Sequence, residues 1–192
     1  MQTEFKGVVG NGEIYLDVMK AICGDTEGKS MADLMCYHAP YTPLLGFKNR
    51  IYVDVQERGL DHKEEQQYFV KSDIFMFLVE NSNLHFDVMI CSDGIEHLHK
   101  QAGFDLALAM KLMSDKSIIF TPLGEWMVTN DDHPDSHKSG WLPSDLNGYA
   151  TIVFPDFHPT LNEGAFFVWY CKDIKQDFER VKNELKNKTW IK

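Results

Sequence analysis

The sequence is short of cysteine, and the four it has are scattered: Cys23, Cys36, Cys91 and Cys171 form no CxxC pair. Cys36, Cys91 and Cys171 sit in or beside apolar runs, so they read as reduced core thiols and not as disulfide or metal ligands. Basic charge is also scarce, with 19 Lys and Arg against 29 Asp and Glu and a formal net charge of -10. Such a field repels phosphate backbones, and no nucleic acid partner is expected. No apolar run approaches the ~20 residues of a membrane span, and Met1 to Lys6 lacks the charged-then-apolar pattern of a secretion signal. A soluble, cytoplasmic protein with no membrane partner is expected. Repeats, low-complexity tracts and Pro/Gly/Ser-rich linkers are missing as well. The 192 residues, 44% of them hydrophobic, are expected to form one domain with a sizeable core. Residues 1–29 are expected as an N-terminal helical extension, 30–171 as the core of sheet and helices, and 172–192 as a C-terminal helix.

What is present is an alternation of short apolar runs with helical patterns. Residues 1–12 look irregular. From Glu13, Ile14, Val18, Ala21 and Ile22 recur on one helical face that ends at Gly24. Ser30 to Cys36, Arg50 to Val55, Gln67 to Asp73, Phe86 to Cys91 and Ser117 to Pro122 are strand candidates. The first contains a lone acid, Asp33, the second carries Asp54, and the third ends at Asp73. Ile74 to Leu84 and Leu98 to Ser114 read as helices, the latter despite Gly103. Near the end, Asn147 to Pro155 and Ala165 to Cys171 are joined by so short a link that they suit an antiparallel hairpin. Asp173 to Lys188 closes the chain with the apolar stripe Ile174, Phe178, Val181 and Leu185. Strands alternating with helices indicate a parallel sheet with right-handed crossovers.

Phe86 to Cys91 stops abruptly at Ser92-Asp93-Gly94, and Ile95-Glu96-His97-Leu98 follows. This phrase, the five strand and helix units and the final antiparallel pair resemble the class I S-adenosylmethionine-dependent methyltransferases over roughly Ser30 to Cys171. His137 to Leu146, followed by Gly148-Tyr149, is similar to the family's segment before the last strand pair. The resemblance implies an α/β three-layer sandwich: a Rossmann-like, mostly parallel sheet of seven strands with one antiparallel. It implies S-adenosylmethionine as cofactor, and methyl transfer to a small-molecule, sugar or peptide acceptor.

By the same resemblance, Asp33 holds the methionine end of the cofactor, with Met35 and Tyr37 beside it. Asp54, next to Val55, accepts from the two ribose hydroxyls, as a carboxylate with two acceptor oxygens can. Asp73 and Ile74 meet the adenine. Ser92 lies against the cofactor, and Asp93 and His97 are the catalytic candidates beside the acceptor, with His99 nearby.

The sequence departs from the family at the first loop, where Asp-x-Gly-x-Gly-x-Gly is common. Asp33-Leu34-Met35-Cys36-Tyr37-His38-Ala39-Pro40 has no glycine, and Tyr37 or His38 is expected to project where the cofactor's amino acid tail lies. A non-catalytic relative that binds another nucleotide or a protein is therefore the alternative. Two further ambiguities stand. Acids at strand ends also cap turns and helix N-termini. The run Asn130 to His137, with His133 and His137 at a spacing seen in zinc sites, is either a solvated acidic loop or a metal ligand set; no metal is expected.

Overall fold

A computed structural model of the chain describes residues 1–124, 133, 135–158 and 163–190. Strand β1 (Gln2–Glu4) precedes helix α1 (Gly12–Cys23), which Asn11 caps by accepting from the Ile14 amide at 3.1 Å and Gly24 ends at φ 66°. Then come β2 (Ser30–Leu34), β3 (Asn49–Asp54), β4 (Phe69–Lys71), α2 (Ile74–Glu80), β5 (Phe86–Ser92), α3 (Lys100–Met113) and β6 (Ser114–Pro122). The chain closes with β7 (Ala150–His158), β8 (Glu163–Cys171) and α4 (Ile174–Lys186).

The strands form one sheet in the order β1-β7-β8-β6-β5-β2-β3-β4. All neighbours are parallel except β8, which runs antiparallel to both β6 and β7. The seven expected strands are therefore present, with the expected reversal. An eighth joins them, because the N-terminal segment is not wholly a helical extension: Gln2, Thr3 and Glu4 pair with Thr151, Ile152 and Val153. Three residues, two of them polar and exposed at a sheet edge, carry no alternating apolar signal.

Strand alternation splits the core in two. Val88 and Ile90 of β5 point to the face covered by α1 and α4, where Ile14, Val18, Ile22, Phe178, Val181 and Leu185 are buried. Met89 and Cys91 point to the other face, against Ile74, Phe77 and Leu78 of α2 and Leu106, Ala107 and Met110 of α3. This is the period-two pattern of a sheet sandwiched between helix layers. β2, an interior strand between β5 and β3, is buried on both faces from Met31 to Leu34, apolar but for Asp33. All four cysteines are free, buried thiols. No helix among the described residues is long and apolar enough to cross a membrane.

Gly103 in α3 has a specific reason. A Cβ there would collide with the six-membered ring of Trp141, which is fully buried and donates from Nε1 to Ser139 Oγ at 3.0 Å. Gly103→Ala should therefore destabilise the protein by about 1–3 kcal/mol in a denaturant titration, although alanine is the better helix former by about 1 kcal/mol. Beyond Trp141, residues 142–148 form turns; Asp145 accepts from the Leu142 amide at 2.7 Å and pairs with Lys100 at 2.6 Å.

Candidate functional site

The strand order reverses between β2 and β5, and the C-terminal ends of β2, β3, β4 and β5 open there into a cavity of about 490 Å³. Ligands of open α/β sheets bind at such a switch point. The cavity is lined by Asp33, Met35 and Tyr37 from the end of β2 and its loop, and by Asp54 and Val55 from the end of β3. Asp73 and Ile74, where β4 leads into α2, and Ser92, Asp93 and His97 after β5 complete the set predicted from sequence. His38 and His99 are not among the lining residues; the His38 ring donates from Nδ1 to the Gly59 carbonyl at 2.7 Å.

Asp33 is only 3% exposed and accepts from the Thr42 hydroxyl. Burial pushes its carboxyl up to about 7; the Thr42 bond opposes this, and the charge of Asp54 adds to it. Asp54 accepts from the Tyr37 amide on Oδ2 at 3.0 Å and from the Gln56 amide on Oδ1 at 2.8 Å. Each oxygen thus keeps a lone pair for a further donor. Asp73 is the N-cap of α2: its Oδ1 accepts from the Phe75 and Met76 amides at 2.9 and 3.1 Å. Capping and lining the cavity are combined in this residue.

The loop after β2 resolves the missing glycines. Met35, Tyr37 and Ala39, the alternate positions at which the resembling motif carries glycine, have φ of 55°, 52° and 47°. Left-handed backbone costs a residue with a Cβ roughly 1–2 kcal/mol. Tertiary bonds hold it here: Cys36 N to Val53 O at 3.1 Å, Tyr37 N to Asp54, Ala39 N to Cys36 O at 2.7 Å and Asp61 N to His38 O at 2.9 Å. The half-exposed Tyr37 ring lies 4.9 Å from the Arg58 guanidinium, which pairs with Asp135 at 2.7 Å across the mouth of the cavity.

The opposite wall follows β5. Asp93 has φ 49° and receives a long bond, 3.4 Å, from the Tyr15 hydroxyl. It is open to solvent within the cavity, yet the crowding walls push its carboxyl up. Glu96, 3% exposed, accepts from the Thr121 hydroxyl at 2.9 Å, and burial and the charge of Asp93 push it up too. His97 donates from Nδ1 to the Ser136 carbonyl at 3.2 Å, and its ring lies 5.0 Å from that of His137. Burial, with the neighbouring His97, holds His137 below the usual imidazole range.

Tyr15, Tyr41, Thr42, Arg58 and Lys138 were not legible as site residues. Tyr41, Thr42, Arg58 and Lys138 line the cavity, and Tyr15 stacks on Tyr41 at 5.1 Å. They come from a helix, turns and loops with no motif spacing. Of the Asp/His run, residues 130–132 and 134 lie outside the described residues. His133 is exposed and accepts from the Asp135 amide at 3.2 Å.

No protein-family model and no curated protein matches the sequence. Solved structures match in fold. The chain is similar to a SAM-dependent methyltransferase from Archaeoglobus fulgidus at 17% identity and TM-score 0.55, covering 83% of this chain and 95% of that one. It is similar to magnesium protoporphyrin IX methyltransferase (ChlM) from Synechocystis PCC 6803 at 12% identity and TM-score 0.54, covering 81% and 80%. Against a SAM-dependent methyltransferase from Agrobacterium tumefaciens it reaches 8% identity and TM-score 0.50 over 82% of this chain, spanning 61% of the length of that protein. At these identities the likeness concerns architecture, and the chain has the class I methyltransferase fold.

Proposed function

We propose that the protein is an S-adenosylmethionine-dependent methyltransferase acting on a small-molecule, sugar or peptide acceptor. One observation carries the reading: Asp33, Asp54 and Asp73, from the ends of three adjacent strands, line one cavity at the switch point of this fold. The cavity volume of about 490 Å³ falls within the ~300–1,000 Å³ usual for sites that hold ligands of this size. The donor set fits the cofactor: Asp33 for the ammonium, Asp54 for the ribose diol, Asp73 and Ile74 for the adenine, with Met35, Tyr37, Val55 and Ser92 packed around it. When bound, S-adenosylmethionine supplies an electrophilic methyl group. The chain then has mainly to align the acceptor for direct in-line transfer. Asp93 and His97 stand at the acceptor end, and Asp93, with its carboxyl held up by the crowding cavity walls, is suited to take a proton from a hydroxyl acceptor.

The second reading, a non-catalytic protein that has lost the cofactor, draws on the side chains of Met35, Tyr37 and Ala39 where the family has none. Thermal shift separates the two. S-adenosylmethionine or S-adenosylhomocysteine at a hundred times its dissociation constant should stabilise by roughly 2.7 kcal/mol, about 5–10 °C for a chain of this size. Asp54→Ala should abolish most of that shift. No shift with the unaltered chain favours the non-catalytic reading.

A further inference from the structure

Beside the cavity, and sharing His97 with it, lies a cluster whose Glu96 and His137 the proposed function does not use. Glu96 and His97 belong to the 3-10 turn Ile95–His97 after β5, and His137 comes from the segment after β6, 40 positions on. One potential ligand atom of each lies within 4.8 Å of the others. From this the geometry points to a divalent metal site formed by Glu96, His97 and His137, taking a first-row cation of the Zn²⁺ type.

Three features support it independently. The two ligand-bearing segments are fixed to each other by backbone: the Glu96 carbonyl accepts from the Lys138 amide at 2.7 Å and the Ser139 amide at 3.1 Å. The two segments are thus held together before any ion arrives. The tautomer of His97 is fixed as it is in many metal-bound histidines, since the Ser136 carbonyl can only accept. Nδ1 therefore carries the proton, and Nε2 presents its lone pair. Finally, Glu96 and its neighbour Asp93 form no ion pair with a lysine, arginine or histidine among the described residues. Thr121 donates to Oε2 of Glu96, and Oε1 is the oxygen that would take the cation.

Bonds of ~2.0–2.2 Å set ligand atoms roughly 3–3.5 Å apart, so closing the site takes side-chain shifts of up to roughly 1–2 Å from the separations of up to 4.8 Å. Two imidazoles and one carboxylate suit Zn²⁺ or a neighbour such as Fe²⁺ or Mn²⁺. They leave at least one position for water or for an oxygen of whatever occupies the cavity, which His97 and Asp93 both line.

Calorimetry with Zn²⁺ on the full chain, with no methyl donor present, tests this separately from the proposed activity. The expected result is one equivalent bound, with affinity weakened at least about tenfold in Glu96→Gln and in His137→Ala and unchanged in His133→Ala. Circular dichroism checks that the variants fold. If they do not, Co²⁺ titrated into the unaltered chain gives the answer: visible d–d absorption saturating at one equivalent, with imidazole shifts confined to His97 and His137. No saturable binding below about 1 mM, equal affinity in all variants, loss in His133→Ala, or Co²⁺ shifts at other histidines would each overturn the site.

Discussion

Affinity for S-adenosylhomocysteine should fall on the order of 100-fold as pH drops from 8 to 5, and Asp33→Asn should bind weakly at every pH with a flat profile. The reason is the position of Asp33 in an interior strand, between β5 and β3. Its carboxyl is buried to 3% exposure and pushed up to about 7, while only its ionised form attracts the ammonium of the ligand. Below pH 7 each unit therefore costs about a factor of ten in affinity. The same group has the opposite effect on the free protein. Its folded-state pKa lies above the unfolded value near 3.9, so the folded chain binds the extra proton. That stability is fully present below about pH 4 and is lost as pH rises through 7. Melting temperatures of the unaltered chain and Asp33→Asn should therefore diverge in favour of the variant over that interval, and calorimetric titrations at several pH values read the binding half.

Ala39→Val should be the most damaging conservative substitution in the loop after β2, costing about 2–6 kcal/mol. Ala39 is buried at 2% exposure with φ 47°. A β-branched residue in left-handed backbone adds strain of about 1–3 kcal/mol, and two extra methyl groups at a buried position on the cavity wall add about 1–3 kcal/mol more. Ala39→Gly removes one methyl group and relieves the backbone, and should stay within about 1 kcal/mol of the unaltered chain. Urea denaturation measures both. A small effect of valine would mean that the loop does not hold the conformation on which the cofactor reading depends.

Much of the fold was legible because the sheet is buried on both faces. Met31, Ala32 and Leu34, like Val88 to Cys91, leave few alternatives to a central strand. β6 was harder to bound: its first residues, Ser114 to Ser117, are polar, and the apolar run starts only at Ile118. β1 was invisible because an edge strand of Gln-Thr-Glu buries little. In the site, the aspartates could be read because strand ends are fixed points. Residues brought in by loops could not: nothing in the sequence predicts that Thr42 donates to Asp33 or that Arg58 reaches Asp135. Glu96 lay in a recognisable phrase, yet its closeness to His137 depends on the path of the chain after β6. Missing glycines misled in one respect, since φ at Met35, Tyr37 and Ala39 shows that the backbone takes the left-handed steps without them.

Calorimetric titration of S-adenosylhomocysteine into the unaltered chain at pH 8 tests the central claim most directly. The account predicts saturable one-to-one binding, displaced by S-adenosylmethionine and weakened in Asp54→Ala. No heat at about millimolar ligand, or equal binding by Asp54→Ala, would contradict it.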